Sequence, residues 1–183
     1  MTFSSGNPAV DRYIAEGYET VRGMSSAFAA TICSHIIRRQ TEVGIKGHIA
    51  EIGTFEGRFF IAIALGLAEG ERALGIDTFS WPNDGLLDLF HSHCARLGLA
   101  RERYTAIKAN ARDLSPSDIR KALGGQEPAV QTSEQKVRFW HLDGDHYPTG
   151  SLGGSLPGDP RHLDAHFGWS GGASGRDRSP VDR

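Results

Sequence analysis

The stretch that most constrains this chain is His48-Ile49-Ala50-Glu51-Ile52-Gly53-Thr54-Phe55-Glu56-Gly57-Arg58. A short apolar run ends in an acid, two glycines follow four residues apart, and an apolar segment of helical length begins at once. This is how a strand passes into a helix through a loop that something must approach closely. Glycine tolerates positive φ and has no Cβ to hold a ligand off the backbone. The helix start behind the loop offers unpaired N–H groups and the positive end of its dipole. Glu51 then falls at the carboxyl end of the strand, the edge at which open α/β sheets bind ligands.

Two helices are expected before this strand. Val10, Tyr13, Ile14, Tyr18 and Val21 recur at helical steps, and after Gly23 so do Met24, Phe28, Ile32, Ile36 and Ile37, up to the basic pair Arg38-Arg39. These helices would cap the sheet or form a dimer surface, with Tyr13 and Tyr18 in packing rather than at a substrate entrance. Beyond the loop, Phe59 to Leu67 is apolar nearly all round, which predicts a buried helix. Residues 72–79 form a second strand ending in Asp77, which stands 26 residues after Glu51. That is near the interval at which a strand-end carboxylate meets a ribose in dinucleotide-binding folds.

Leu86, Leu87, Phe90, Cys94 and Leu97 predict a fourth helix stopped by Gly98, and residues 104–109 a third strand with its exit at Asn110 to Asp113. Ser115-Pro116-Ser117-Asp118 reads as a capping box with Asp in the Glu place and Pro at the first helical position, Leu114 and Ile119 forming the staple across it. A short helix ending at Gly124-Gly125 follows, then a polar connection, then a fourth strand from Val137 to Leu142 and Asp143-Gly144-Asp145-His146. Strand alternating with helix is the pattern of an α/β, doubly wound parallel sheet. Right-handed crossovers put the first strand centrally and gather Glu51, Gly53, Asp77, Asn110 and Asp143 at one edge.

A length of 183 residues suits one domain, here divided into a helical segment 1–46, a sheet domain 47–147 and a tail 148–183. The net charge of −2 gives no electrostatic reason to expect nucleic acid or a membrane surface as partner. Cys33 and Cys94 lie outside any metal or redox spacing and are expected as reduced thiols. No run reaches the ~18 apolar residues of a membrane span, and the first residues lack the regions of a signal peptide, so a soluble cytoplasmic chain is expected. From Tyr147 onward there are eight Gly, four Pro and five Ser but no Ile and one Val. Such a segment cannot offset its own ordering entropy. A flexible, disordered tail is one reading; loss of the reading frame near Tyr147, which truncates the domain after its fourth strand, is the one adopted, because the break falls in mid-motif. His162 and His166, four apart in this context, are read as coincidence rather than a metal pair.

Glu-Ile-Gly-Thr-Phe-Glu-Gly at 51–57, Gly-Ile-Asp at 75–77 and His-Leu-Asp-Gly-Asp-His at 141–146 resemble, in order and spacing, the class I S-adenosylmethionine-dependent methyltransferases. The likeness is to the small-molecule O-methyltransferase-like group whose fourth strand ends in Asp-Gly-Asp-His, and it covers residues 47–147. It implies a Rossmann-like sheet, S-adenosylmethionine as cofactor and a small-molecule methyl acceptor. Glu51, Gly53, Thr54, Phe55 and Gly57 would form the loop under the methionine part. Asp77 would take the ribose hydroxyls, Thr78 and Phe79 would flank the adenine, and Asn110 or Ala111 would meet its amino edge. Asp143 would face the cofactor's amino group or help hold a divalent metal such as Mg, and His146 would serve as base or else orient the Asp143 loop. The family fold continues past the fourth strand with a further helix and three strands, which this sequence does not show. Two alternatives stay open: a truncated, non-catalytic module that binds cofactor weakly or associates through its apolar edge, and a nucleotide- or NAD-dependent oxidoreductase. The second conflicts with Phe55, which stands where Gly-x-Gly-x-x-Gly has its second glycine.

Overall fold

Four short strands form a parallel sheet in the computed structural model, which describes residues 4–124 and 136–144. They are β1 (His48–Ile52), β2 (Ala73–Asp77), β3 (Tyr104–Lys108) and β4 (Val137–Leu142), in the order β3-β2-β1-β4. β1 is therefore central, and β4 is an edge among the described residues. The helices are α1 (Pro8–Arg12), α2 (Ala27–Glu42), α3 (Arg58–Ala64), α4 (Leu86–Arg96) and α5 (Pro116–Ala122). His146 and the expected tail at 148–183 lie outside the described residues.

Alternation along each strand splits the core in two. Ile49, Ala73 and Tyr104 pack with Phe60, Ile61, Ile63 and Phe90 of α3 and α4, together with Tyr13, Tyr18, Ala30 and Ile37 from the N-terminal helices. Ala50, Leu74 and Ile76 face the other way, with Ile119 and Ala122 from α5 and Leu123 just after it. Helices thus cover both faces, as a doubly wound sheet requires. Every residue of α3 from Phe59 to Ala64 is buried, in keeping with its all-round apolar sequence.

The N-terminal helices depart from the simple reading. The stripe from Val10 to Val21 does pack inward, but only Pro8–Arg12 is α-helical; a π turn (Tyr13–Gly17) and a 3-10 turn (Tyr18–Thr20) follow. The widened turn accommodates two large aromatics side by side: Tyr13 and Tyr18 meet edge to face at 5.7 Å, and Tyr13 Oη donates to the Arg58 carbonyl at 2.8 Å. Met24, ahead of α2, and Phe28, Ile32 and Ile36 on it form an exposed row, while Ala30, Thr31, Ser34 and Ile37 are buried. The small residues win the inner face because they allow close approach to α3, where Ser34 Oγ donates to the Ala62 carbonyl at 3.2 Å.

At α5 the capping box forms as its sequence demands, with Ser115 and Asp118 each accepting the other's backbone N–H. β4 carries an irregularity: His48 faces Val137 and Ile49 faces Phe139, so Arg138 is one extra residue. Its side chain is nearly buried and pairs with buried Glu71 at 2.7 Å. It also donates to the Ile37 carbonyl at 2.9 Å and to Gln40 Oε1 at 2.8 Å, which ties α2 to the sheet.

Candidate functional site

The loop from Gly53 to Gly57 is held by its neighbours at several points. Phe55 and Phe79, the two non-glycine residues with positive φ (47° each) among those described, sit in loops that leave β1 and β2. Their backbone N–H groups both donate to Asp77, Phe55 to Oδ2 at 2.9 Å and Phe79 to Oδ1 at 2.8 Å. One carboxylate thereby fixes two loops in a backbone conformation that costs about 1–3 kcal/mol per residue. Glu56 is buried and pairs with Arg22 at 2.8 Å, and its carbonyl meets His93 Nδ1 at 3.1 Å. Phe55 itself lies between Trp81, 5.7 Å away, and the Arg22 guanidinium at 5.5 Å.

Gly53 has φ +87°, and a Cβ there would overlap the Asp143 carbonyl oxygen and lie 2.6 Å from its carbon. The close approach that this glycine permits is therefore from the exit of β4. Gly57, at φ +93°, opens α3, and a Cβ there would press on Phe90 at 2.9 Å.

Glu51 is 1% exposed. Its Oε1 takes a 2.7 Å contact from His141 Nδ1, and its Oε2 is buried with no hydrogen-bond partner. Burial pushes its carboxyl up to about 7; the His141 hydrogen bond and charge pull it down, and Asp143 and Asp77 push it further up. Three carboxylates from the ends of β1, β2 and β4 thus act on one another at the carboxyl edge of the sheet. His141 stacks on Phe59 at 3.8 Å and 17°. The sequence reading passed over His141, although a signal was there: Glu51 and His141 each stand two residues before their strand's exit, and the register makes them neighbours.

The other expected residues fall into two groups. Thr54 is buried with Oγ1 unpartnered, and exposed Thr78 accepts a hydrogen bond from Ser80 at 3.1 Å, so both remain at the edge. Asn110 caps the turn at 111–113 through the Arg112 N–H at 3.0 Å. Asp143 continues the ladder by donating its N–H to Ile52 at 2.9 Å. Phe79 departs from its expected place beside an adenine: it is wholly buried and packs on Phe90 at 5.4 Å, so it presents no face to a ligand. Ala111 lines an apolar cleft of about 330 Å³ on the α5 face, with Ile52, Ile76, Leu114, Ile119 and Trp140. Among the described residues no three His, Cys, Asp or Glu side chains could hold a metal ion, so the divalent metal expected at Asp143 has no ligand set there. Cys33 and Cys94 are unpaired, and no described helix is long and apolar enough to cross a membrane.

No protein-family model matches this sequence, and no curated protein matches it. Solved structures do. The chain is similar to an O-methyltransferase from Bacillus cereus in complex with S-adenosylhomocysteine, at 17% identity and a TM-score of 0.49, over 75% of this chain and 54% of that one. It is similar to a candidate O-methyltransferase from Klebsiella pneumoniae, at 18% identity and 0.44, over 66% and 50%. A third is the O-methyltransferase TomG from Streptomyces achromogenes, involved in tomaymycin synthesis and in complex with S-adenosylmethionine, at 21% identity and 0.38, over 54% and 41%. The chain therefore spans about half the length, or less, of the solved structures it resembles.

Proposed function

We propose that this chain carries the S-adenosylmethionine-binding part of a class I methyltransferase, directed to a hydroxyl oxygen on a small molecule. The observation that carries the reading is the buried Glu51 carboxylate, held from one side by His141 and bare on Oε2, beside Asp77 and Asp143. A buried acceptor left bare costs about 1–3 kcal/mol, and a cationic donor relieves that cost together with the mutual repulsion of three acids. The cofactor fits: its ammonium and sulfonium suit the acids, and each Asp77 oxygen retains a lone pair for a ribose hydroxyl beyond the loop N–H it accepts. Glu51, Gly53, Thr54, Phe55 and Gly57 would hold the methionine end, and Asp77 with Thr78 and Asn110 the nucleoside. When bound, S-adenosylmethionine supplies an electrophilic methyl group on sulfur. The protein's part is to align the acceptor and to take its hydroxyl proton, a role we give to His146. No metal step is included, since the described residues do not fit one. We place the protein in the cytoplasm, in line with its two free thiols.

A non-catalytic cofactor-binding module is the second reading, favoured by the bare outer side of β4 among the described residues. The oxidoreductase reading is set aside on Phe55, whose ring lies against Trp81 where a dinucleotide loop needs a glycine. Titration calorimetry with S-adenosylhomocysteine tests the proposal. Wild-type chain should bind saturably, and Asp77→Ala, with its circular dichroism intact, should bind at least roughly tenfold more weakly, as expected for a lost hydrogen bond to a charged group. A folded wild-type chain that takes up no ligand sinks both readings. Binding without methyl transfer to any small hydroxylated acceptor supports the module.

A further inference from the structure

One rim of the molecule is apolar in two layers. From Ala27 to Ile37, α2 contains no Asp, Glu, Lys or Arg. Met24, Phe28, Ile32 and Ile36, spaced by four, lie 94%, 53%, 39% and 43% exposed. The same row continues to Gln40, whose Nε2 donates to the Arg138 carbonyl at 3.3 Å, so the stripe runs down to β4. There the sheet ends among the described residues, with Trp140 42% and Leu142 58% exposed. Natural edge strands are guarded by Lys, Pro, inward charge or a bulge along the edge. Past Arg138, β4 reads Phe-Trp-His-Leu and has none of these.

We propose that this rim is a homodimer interface, in which a two-fold axis sets β4 antiparallel to β4 of a second copy and packs the two α2 rows against each other. A two-fold axis needs a surface that complements itself, and this one does so by being apolar. Ala27–Ile37 and Phe139–Leu142 contain no Asp, Glu, Lys or Arg, so like charges do not meet. At roughly 150–250 Å² per large side chain, the exposed parts of the six residues total about 600 Å² per protomer. The pair then buries about 1,200 Å², the lower bound of stable interfaces. The inference does not depend on the cofactor reading.

Light scattering on a sizing column tests it. Wild-type chain should elute at twice its 19.9 kDa mass and dissociate on dilution by mass action. Ile32→Glu with Ile36→Glu changes exposed positions and brings like charges together across the axis, which should weaken association at least roughly a hundredfold with unchanged circular dichroism. Hydrogen exchange on the wild type needs no variant: the Trp140 and Leu142 amides should gain protection as concentration rises. A monomer at every concentration, open-ended aggregates without a discrete dimer, a dimer indifferent to the double substitution, or concentration-independent exchange at β4 would each overturn the proposal.

Discussion

Gly53→Ala separates a glycine required by its own fold from one required only by backbone conformation. Gly53 and Gly98 have nearly the same φ, +87° and +85°, yet a Cβ at Gly98 would meet nothing within 4 Å. Gly98→Ala should therefore cost only the left-handed backbone term, about 1–2 kcal/mol. At Gly53 the new methyl sits 2.6 Å from the Asp143 carbonyl carbon and 2.9 Å from Gly144 N. Ordinary contact needs the β4 exit to retreat by about 1 Å, an overpacking cost of about 1–3 kcal/mol. That movement also strains the 2.9 Å bond from Asp143 N to the Ile52 carbonyl, which contributes about 1 kcal/mol net. The sum is about 3–6 kcal/mol, at least about 2 above the Gly98 control. Urea unfolding followed by circular dichroism reads this directly; with a slope of about 1–3 kcal/mol per molar, the two midpoints should differ by roughly 1 M. If the two alanine variants unfold within about 0.5 kcal/mol of each other, the Asp143 approach does not explain Gly53.

Arg138→Met should cost about 3–5 kcal/mol, because it strands Glu71 as a buried unpaired carboxylate, and Glu71→Gln in the same chain should restore more than about 1 kcal/mol of that. Thermal melts of the single and double variants check this, and equal melting points would refute the pair as the cause. Glu51 predicts a pH dependence. Its folded carboxyl is raised from 4.5 to about 7, so its contribution to stability is fully present below 4.5 and is lost as pH rises through about 7. At 1.36 kcal/mol per unit the loss is about 3 kcal/mol. The stability of wild type minus that of Glu51→Gln should decline by about that amount across the window in buffered urea titrations. Parallel curves would show that burial does not hold the proton on Glu51.

What was legible in the sequence was local. The β1 loop, the buried α3, the Ser115 box and the bounds of β4 follow from neighbours a few residues apart, and the alternation of strand with helix places the strand exits that carry Glu51, Gly53, Asp77, Asn110 and Asp143 at one edge. What escaped depends on distant partners. Periodicity identifies a stripe on α2 but not which side the sheet prefers, and close packing chose the face of Ala30, Thr31, Ser34 and Ile37 over that of Phe28, Ile32 and Ile36. Glu71 and Arg138 are 67 residues apart, and nothing near either announces a buried pair. Phe79 follows Asp77 as an adenine neighbour would, yet the N–H it gives to Asp77 turns its ring into the core. Gly53 is a point of close approach, and what approaches it in this structure is the chain's own backbone.

The extra residue in β4 settles how that strand can carry two duties. Strict alternation forbids consecutive residues from pointing the same way, yet Arg138 reaches α2 and Phe139 joins the same layer. Bulges between parallel strands are rare, and this one acts as a phase correction. Counted by twos from Val137, which packs on the α5 side, His141 would share that side and miss Glu51. With the correction it lands over Phe59, beside the carboxylate. The strand therefore answers unequally to length changes at this point. Removing Arg138 keeps both the facing and the register of His141 while cutting the tie to α2, whereas one further inserted residue restores plain alternation but slides His141 two residues along β1, past Glu51.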